Sequence, residues 1–149
     1  MRREETVDHH IKAAWHGIAR MYNQQAAAYD ATMAMGFVLL TINAEEGTPA
    51  TKIAPLMGLE ARSLTRLLNT MEERGVIIRK TDVVDKRSVR VYLTEAGKKK
   101  REKAKETVLN FNEAVREVVP QEKLEVFFEV IQAIQNVVEK DTINQKAYS

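Results

Sequence analysis

Between Thr48 and Leu93 the hydrophobic period changes from that of two short helices to that of paired strands, with glycines at the joints. Thr48-Pro49 reads as a helix start, because Thr accepts a hydrogen bond from a free amide and Pro at the first helical position has no N–H to lose. Ile53, Leu56 and Met57, with small Ala54, predict a short helix, the third along the chain, broken by Gly58. A fourth is predicted from about Glu60 to Arg74, stopped by Gly75. Two short helices about a Gly-containing turn make a helix-turn-helix candidate. Val76-Ile77-Ile78, a polar loop from Asp82 to Ser88, and Val89-Arg90-Val91-Tyr92-Leu93 follow; the alternation in the last run predicts a two-stranded hairpin, a wing.

Long amphipathic helices flank this segment. Val7, Ile11, Trp15, Ile18, Tyr22, Ala26 and Tyr29 recur at helical spacing and predict a first helix reaching about Tyr29. Thr32 is placed to cap a second, mostly buried helix carrying Met33, Phe37 and Leu40 with Met35, Leu39 and Ile42 beside them, ended by Glu45-Glu46-Gly47. Thr94 caps a fifth with the stripe Ala104, Val108, Phe111, Val115 and Val118, ended near Pro120. A last helix carries Leu124, Phe127, Phe128, Ile131, Ile134 and Val138. The fold class expected is mainly α with a small β-hairpin wing: a winged helix-turn-helix over residues 32–94, between an N-terminal helix (1–31) and C-terminal helices (95–149).

Charge is distributed to match. From Lys52 to Lys103 there are 14 Lys/Arg against 7 Asp/Glu, a local +7, while the rest of the chain carries 9 against 14, or −5. A basic centre between acidic ends suits a polyanion. The longest uncharged run, Ala31 to Ala44, has 14 residues, whereas a membrane span needs roughly 20. Met1-Arg2-Arg3-Glu4-Glu5 resembles neither a secretory nor a twin-arginine signal, so a soluble, cytoplasmic chain is expected, without membrane partners. The absence of cysteine rules out disulfides, thiolate zinc sites and cysteine nucleophiles.

On the fourth helix Ala61, Leu64, Leu67, Leu68 and Met71 share one face. The opposite face offers Arg62, Ser63, Thr65, Arg66 and Asn69, with no carboxylate before Glu72. Arg reads guanine bidentately, Asn reads adenine, and Ser or Thr serves bases or phosphates, so this is a candidate major-groove recognition face. In the wing, Lys86, Arg87 and Arg90 place cations where they can enter a minor groove. Asp85 is expected to pair with Arg87, or with an arginine of the fourth helix, and to hold the loop in shape. Lys98-Lys99-Lys100-Arg101 reads as a solvated helix start or an outlying phosphate contact.

The run from Ile53 to Thr94, with its exit to Gly97, resembles the multiple-antibiotic-resistance regulator (MarR) family. The matching residues are Ile53-Ala54, Gly58-Leu59, Leu64-Thr65-Arg66-Leu67, Met71-Glu72-Glu73-Arg74-Gly75, Ile78-Arg79, Asp85-Lys86-Arg87 and Val91-Tyr92-Leu93-Thr94-Glu95-Ala96-Gly97. The resemblance implies a bacterial or archaeal homodimer on a pseudo-palindromic operator of double-stranded DNA, nucleoid-associated when bound, with recognition helices in major grooves and wings in minor grooves. It also implies that the first and last helices form the dimer interface, which gives the flanking apolar stripes a use. A repressor is the form expected. Pro55, inside the third helix, departs from the pattern and puts that helix's phosphate contacts, Thr51 and Lys52, in doubt. The lack of cysteine excludes the thiol-based sensing of one branch of the family.

Related regulators bind small aromatic acids in a crevice between their dimerisation and DNA-binding parts, which implies a small aromatic or other hydrophobic effector here. Trp15, Tyr22 and Phe37 are candidates for lining such a crevice; the plain alternative is that they are core. No metal or other cofactor is expected: His9 and His16 are too far apart along one helix to share an ion. No acid pair, activated nucleophile or phosphate-cradling glycine loop is present, so an enzyme is not expected. Two other readings stay open, a winged-helix module that docks a protein and an architectural protein that coats DNA without sequence preference.

Overall fold

The computed structural model of the chain describes the backbone of residues 1–148 and the side chains of residues 1–140. Side chains 141–149 of the expected C-terminal segment therefore lie outside the described residues. Two compact units are formed, Met1–Val108 and a second from Leu109 onward. The first holds a 3-10 turn (Arg3–Glu5), α1 (Val7–Ala27), α2 (Met33–Thr41), β1 (Thr48–Pro49), α3 (Ala50–Met57), α4 (Ala61–Glu73), β2 (Ile77–Thr81), β3 (Val89–Leu93) and the start of α5 (Glu95–Val118). The rest of α5 and α6 (Gln121–Tyr148) make the second. The chain is mainly α with a small antiparallel sheet.

Two threonines act as the sequence predicts. Thr32 Oγ1 accepts the Met35 N–H at 3.2 Å and starts α2. Thr94 Oγ1 accepts the Gly97 N–H at 3.0 Å and itself donates to the Gly75 carbonyl at 2.6 Å, so one hydroxyl caps α5 and ties it to the end of α4. α2 stops earlier than expected, at Thr41. The Asn43 side chain then accepts the N–H groups of Glu45 and Glu46, both at 2.9 Å, and folds a turn that Gly47 closes with φ 70°.

Thr48-Pro49 is not the start of α3. The pair forms β1, the outer strand of a three-stranded sheet of order β1-β3-β2, with Thr48 opposite Val91 and Pro49 opposite Arg90. Thr48 Oγ1 accepts the Asn43 N–H at 2.8 Å, so the hydroxyl serves the preceding turn and not α3. Pro is tolerated on an edge strand because it has no N–H to contribute to the ladder. The wing thus has three strands, not two. β2 runs on to Thr81, and its register with β3 sets Ile77 against Leu93 and Arg79 against Val91.

Pro55 lies within α3 without breaking it, although it cannot donate to the Thr51 carbonyl. The helix ends two residues later, where Gly58 adopts φ 64° and the Gly58 and Leu59 N–H groups close on the carbonyls of Pro55 and Ala54.

The core of the first unit is built on α2, whose Met35, Val38 and Leu39 are exposed by 2% or less. Ile42, Ile53, Leu64, Leu68, Met71, Val76, Ile77, Val91 and Leu93 complete it. Each such side chain contributes roughly 1.5–3 kcal/mol by leaving water. In the second unit Leu124 is buried, while Phe127 and Phe128 are about half exposed and meet edge to face at 5.8 Å. No helix among the described residues is long and apolar enough to cross a membrane.

Two glycines predict opposite effects. A Cβ on Gly97 would overlap the Val76 carbonyl oxygen, whereas one on Gly17, in mid-α1, meets nothing within 4 Å. Gly97→Ala is expected to destabilise the protein by about 1–3 kcal/mol and Gly17→Ala to stabilise it by about 0.5–1 kcal/mol, read as shifts in the urea midpoint. Equal shifts would contradict this packing.

Candidate nucleic-acid interface

α4 owes its orientation to three side chains. Leu64, Leu68 and Met71 are buried on one face, which leaves Arg62, Ser63, Thr65, Arg66 and Asn69 exposed. Arg62, Arg66 and Asn69 follow one another at spacings of four and three and so lie in one outward stripe. α3 buries Ile53 and Ala54 and leaves Thr51 and Lys52 exposed. The hydroxyl of Thr65 donates back to the Ala61 carbonyl at 2.9 Å, which leaves its lone pairs free to accept.

The cations of this region fall into two classes. Arg62, Arg66, Lys86 and Arg87 are exposed and make no side-chain hydrogen bond or ion pair among the described residues. Lys52 is exposed without such a partner too, and the Lys80 ammonium lies 5.7 Å from the centre of the Tyr92 ring. Arg74, Arg79 and Arg90 are instead committed inside the fold. Arg74 donates to the Asp30 carbonyl at 3.3 Å, where Lys100 also donates at 3.2 Å. Arg79 donates through Nε to a Glu72 carboxylate oxygen at 3.0 Å and through a terminal nitrogen to the Asn69 side-chain Oδ1 at 2.7 Å. Its guanidinium keeps the Glu72 carboxyl below its ordinary value. Arg90 is engaged by three acceptors, the Glu46 carbonyl at 2.8 Å, Asp82 Oδ2 at 3.3 Å and the Gly47 carbonyl at 3.4 Å. It therefore ties the wing to the turn before β1 and does not present its charge beside Lys86 and Arg87.

The wing loop is organised by Asp82, which the sequence reading passed over in favour of Asp85. Asp82 is 6% exposed. Its Oδ1 accepts the N–H groups of Val84 at 2.8 Å and Asp85 at 3.3 Å, while Oδ2 pairs with Arg90. Asp85 does shape the loop, but through the Arg87 backbone amide at 3.0 Å and, by its own carbonyl, through Ser88; it makes no ion pair with an arginine among the described residues. An Asp directly after a strand is an Asx-turn signal, and that is where the sequence pointed to Asp82.

Tyr22 and Phe37 meet edge to face at 5.9 Å and line an apolar cavity of about 20 Å³ with Tyr29, Met33, Gly36 and Ala104. Trp15 is not brought there; it is 48% exposed on the face of α1 that carries Val7 and Ile11. Near the amino terminus, His10 Nε2 lies 2.6 Å from the Glu4 carbonyl oxygen.

The titration of Asp82 tests the loop. The Val84 amide, with smaller help from the Asp85 amide and Arg90, holds its carboxyl below the ordinary value against the opposing effect of burial. A carboxyl depressed in the fold contributes stability above its unfolded value and loses it as pH falls through the folded one. The Val84 and Asp85 amide NMR signals are therefore expected to titrate with a midpoint below the ordinary aspartate value, the wing loosening only under stronger acid. A midpoint at or above that value would contradict the assignment.

Comparison with known proteins agrees with this geometry. Residues 32–89 match the MarR family. The chain is 33% identical over 88 residues to the HTH-type transcriptional regulator TtmR of Methylorubrum extorquens, a match covering 59% of this chain and 45% of TtmR. It spans about half the length of the curated relatives it matches. Its fold is that of Staphylococcus aureus MepR in a DNA complex, with a TM-score of 0.82 and 19% identity over 89% of this chain and 98% of MepR. CouR of Rhodococcus jostii RHA1, bound to p-coumaroyl-CoA, aligns with a TM-score of 0.77 and 20% identity over 90% of this chain and 94% of CouR. Residues 32–89 are thus similar to the MarR family, and the chain has the winged-helix fold seen in these solved regulators.

Proposed function

We propose that the chain is a sequence-specific DNA-binding transcription regulator, a homodimer that represses from a pseudo-palindromic operator. The observation that carries this reading is the set of uncommitted cations, Arg62 and Arg66 on α4 with Lys86 and Arg87 on the wing, in a region where the other arginines are used internally. In this reading Arg62, Ser63, Thr65, Arg66 and Asn69 enter a major groove, Lys86 and Arg87 an adjacent minor groove, and Thr51 and Lys52 meet phosphates. The name of TtmR and the DNA complex of MepR support it.

The dimer rests on unsatisfied apolar surface. Val7, Ile11 and Trp15 on α1 are 55%, 42% and 48% exposed, and Phe127, Phe128 and Val130 on α6 are exposed to a similar degree. Residues 1–31 and 95–149 act as dimerisation segments around the DNA-binding part, 32–94. A cytoplasmic protein of this kind is released from DNA by a hydrophobic effector, as the CouR ligand complex suggests by analogy. The cavity at Tyr22 and Phe37 has room for about one water, so an aromatic effector must open it on binding.

The test is binding to duplex DNA from upstream of the coding sequence against a scrambled duplex at physiological salt. Nanomolar affinity for the native duplex, at least about a thousandfold weaker binding to the scramble, and loss of specific binding in Arg62→Ala and Arg87→Ala are expected. Equal, weak binding to both duplexes would overturn the proposal.

A further inference from the structure

The Glu72–Arg79–Asn69 cluster joins the strand after the helix-turn-helix to the outward face of α4. Arg79 stands opposite Val91, on the sheet face that Ile77 and Leu93 turn to the core, at the end where that face runs out. Its head reaches back to α4, where Nε meets Glu72 at 3.0 Å and a terminal nitrogen meets Asn69 Oδ1 at 2.7 Å. Glu72 and Asn69 are three residues apart on one helix, so a single planar guanidinium spans both.

The chemistry of this contact fixes an orientation. A guanidinium has donors only, so the atom of Asn69 that faces it is the amide oxygen, and the amide nitrogen turns away. An asparagine free to rotate reads adenine with both atoms, accepting from N6 and donating to N7. Here one lone pair of the Asn69 oxygen is taken by a charged donor, and the contact aims that oxygen at Arg79 and not at a base edge. What it offers outward is a pair of N–H donors, which suit bare acceptors such as guanine N7 and O6 or thymine O4.

We propose that Arg79 is a specificity-positioning residue, holding the Asn69 amide so that it selects acceptor-rich base edges and disfavours bidentate pairing to adenine. This rests on the DNA-reading function proposed above for α4. Arg79 itself touches no base in this scheme; it acts through Asn69.

The experiment is selection of bound duplexes from a library randomised across each half-site, with the wild-type chain, Arg79→Met, Glu72→Gln, Asn69→Ala and the Arg79→Met/Asn69→Ala double variant. Helical circular dichroism confirms that each is folded, and Glu72→Gln loosens the clamp without removing Arg79. The wild type is expected to favour guanine or thymine at one step per half-site. Arg79→Met should shift that step toward adenine by roughly tenfold, Glu72→Gln by less, with other steps unchanged. Asn69→Ala should abolish preference at the same step and make Arg79→Met silent there. If Arg79→Met weakens all sequences equally, or shifts the step in the Asn69→Ala background too, the positioning role is overturned while the regulator stands. A wild type without preference at any step overturns both.

Discussion

Met35, Val38, Leu39 and Ile42 are almost wholly withdrawn from water, and α1, α3 and α4 all pack against α2, the helix that carries or adjoins them. Because α4 meets that core through Leu64, Leu68 and Met71, its remaining face is left to solvent. The direction in which Arg62, Arg66 and Asn69 project is therefore a consequence of apolar packing several residues away. The Thr94 hydroxyl extends the same arrangement, clasping Gly75 at the end of α4 while it starts α5, and the close approach of Gly97 to Val76 leaves no room for a side chain.

Within that frame the arginines divide by what they can reach. Arg74 and Lys100 converge on the Asp30 carbonyl, in the one non-glycine residue of positive φ among those described. Arg90 and Asp82 form a mostly buried pair that fixes the base of the wing loop. Breaking such a pair from one side leaves an uncompensated charge, so it suits a structural role. Arg62, Arg66, Lys86 and Arg87 keep their donors outward. In the proposed function these four meet DNA, through phosphate contacts that release counterions and base contacts that discriminate.

The sequence made much of this legible, for physical reasons. Helix order, the caps at Thr32 and Thr94, the wing loop from Asp82 to Ser88 and the two faces of α4 depend on local periodicity and local hydrogen bonding. Thr48-Pro49 misleads because the same dipeptide suits a helix start and an edge strand, and only the pairing with β3 decides between them. The engagements of Arg90, Arg79 and Asn69 are not legible locally because their partners lie on other elements, in places set by strand register and helix packing. Asp85 was expected in an ion pair for the same reason, and Trp15 was grouped with Tyr22 and Phe37 though its face of α1 turns to solvent.

The cations of this region fall into committed and uncommitted sets, and in the proposed function only the second meets DNA. The most direct measurement is the salt dependence of duplex affinity for single methionine substitutions at Arg62, Arg66, Lys86, Arg87, Arg74 and Arg90, each paired with its thermal midpoint. Because a homodimer carries each substitution twice, each of the first four is expected to reduce the slope of log affinity against log salt by about 1.8 with little change in stability. Arg74→Met and Arg90→Met are expected to lower the midpoint and leave the slope intact. A slope that falls equally for all six, or for none, would contradict the account.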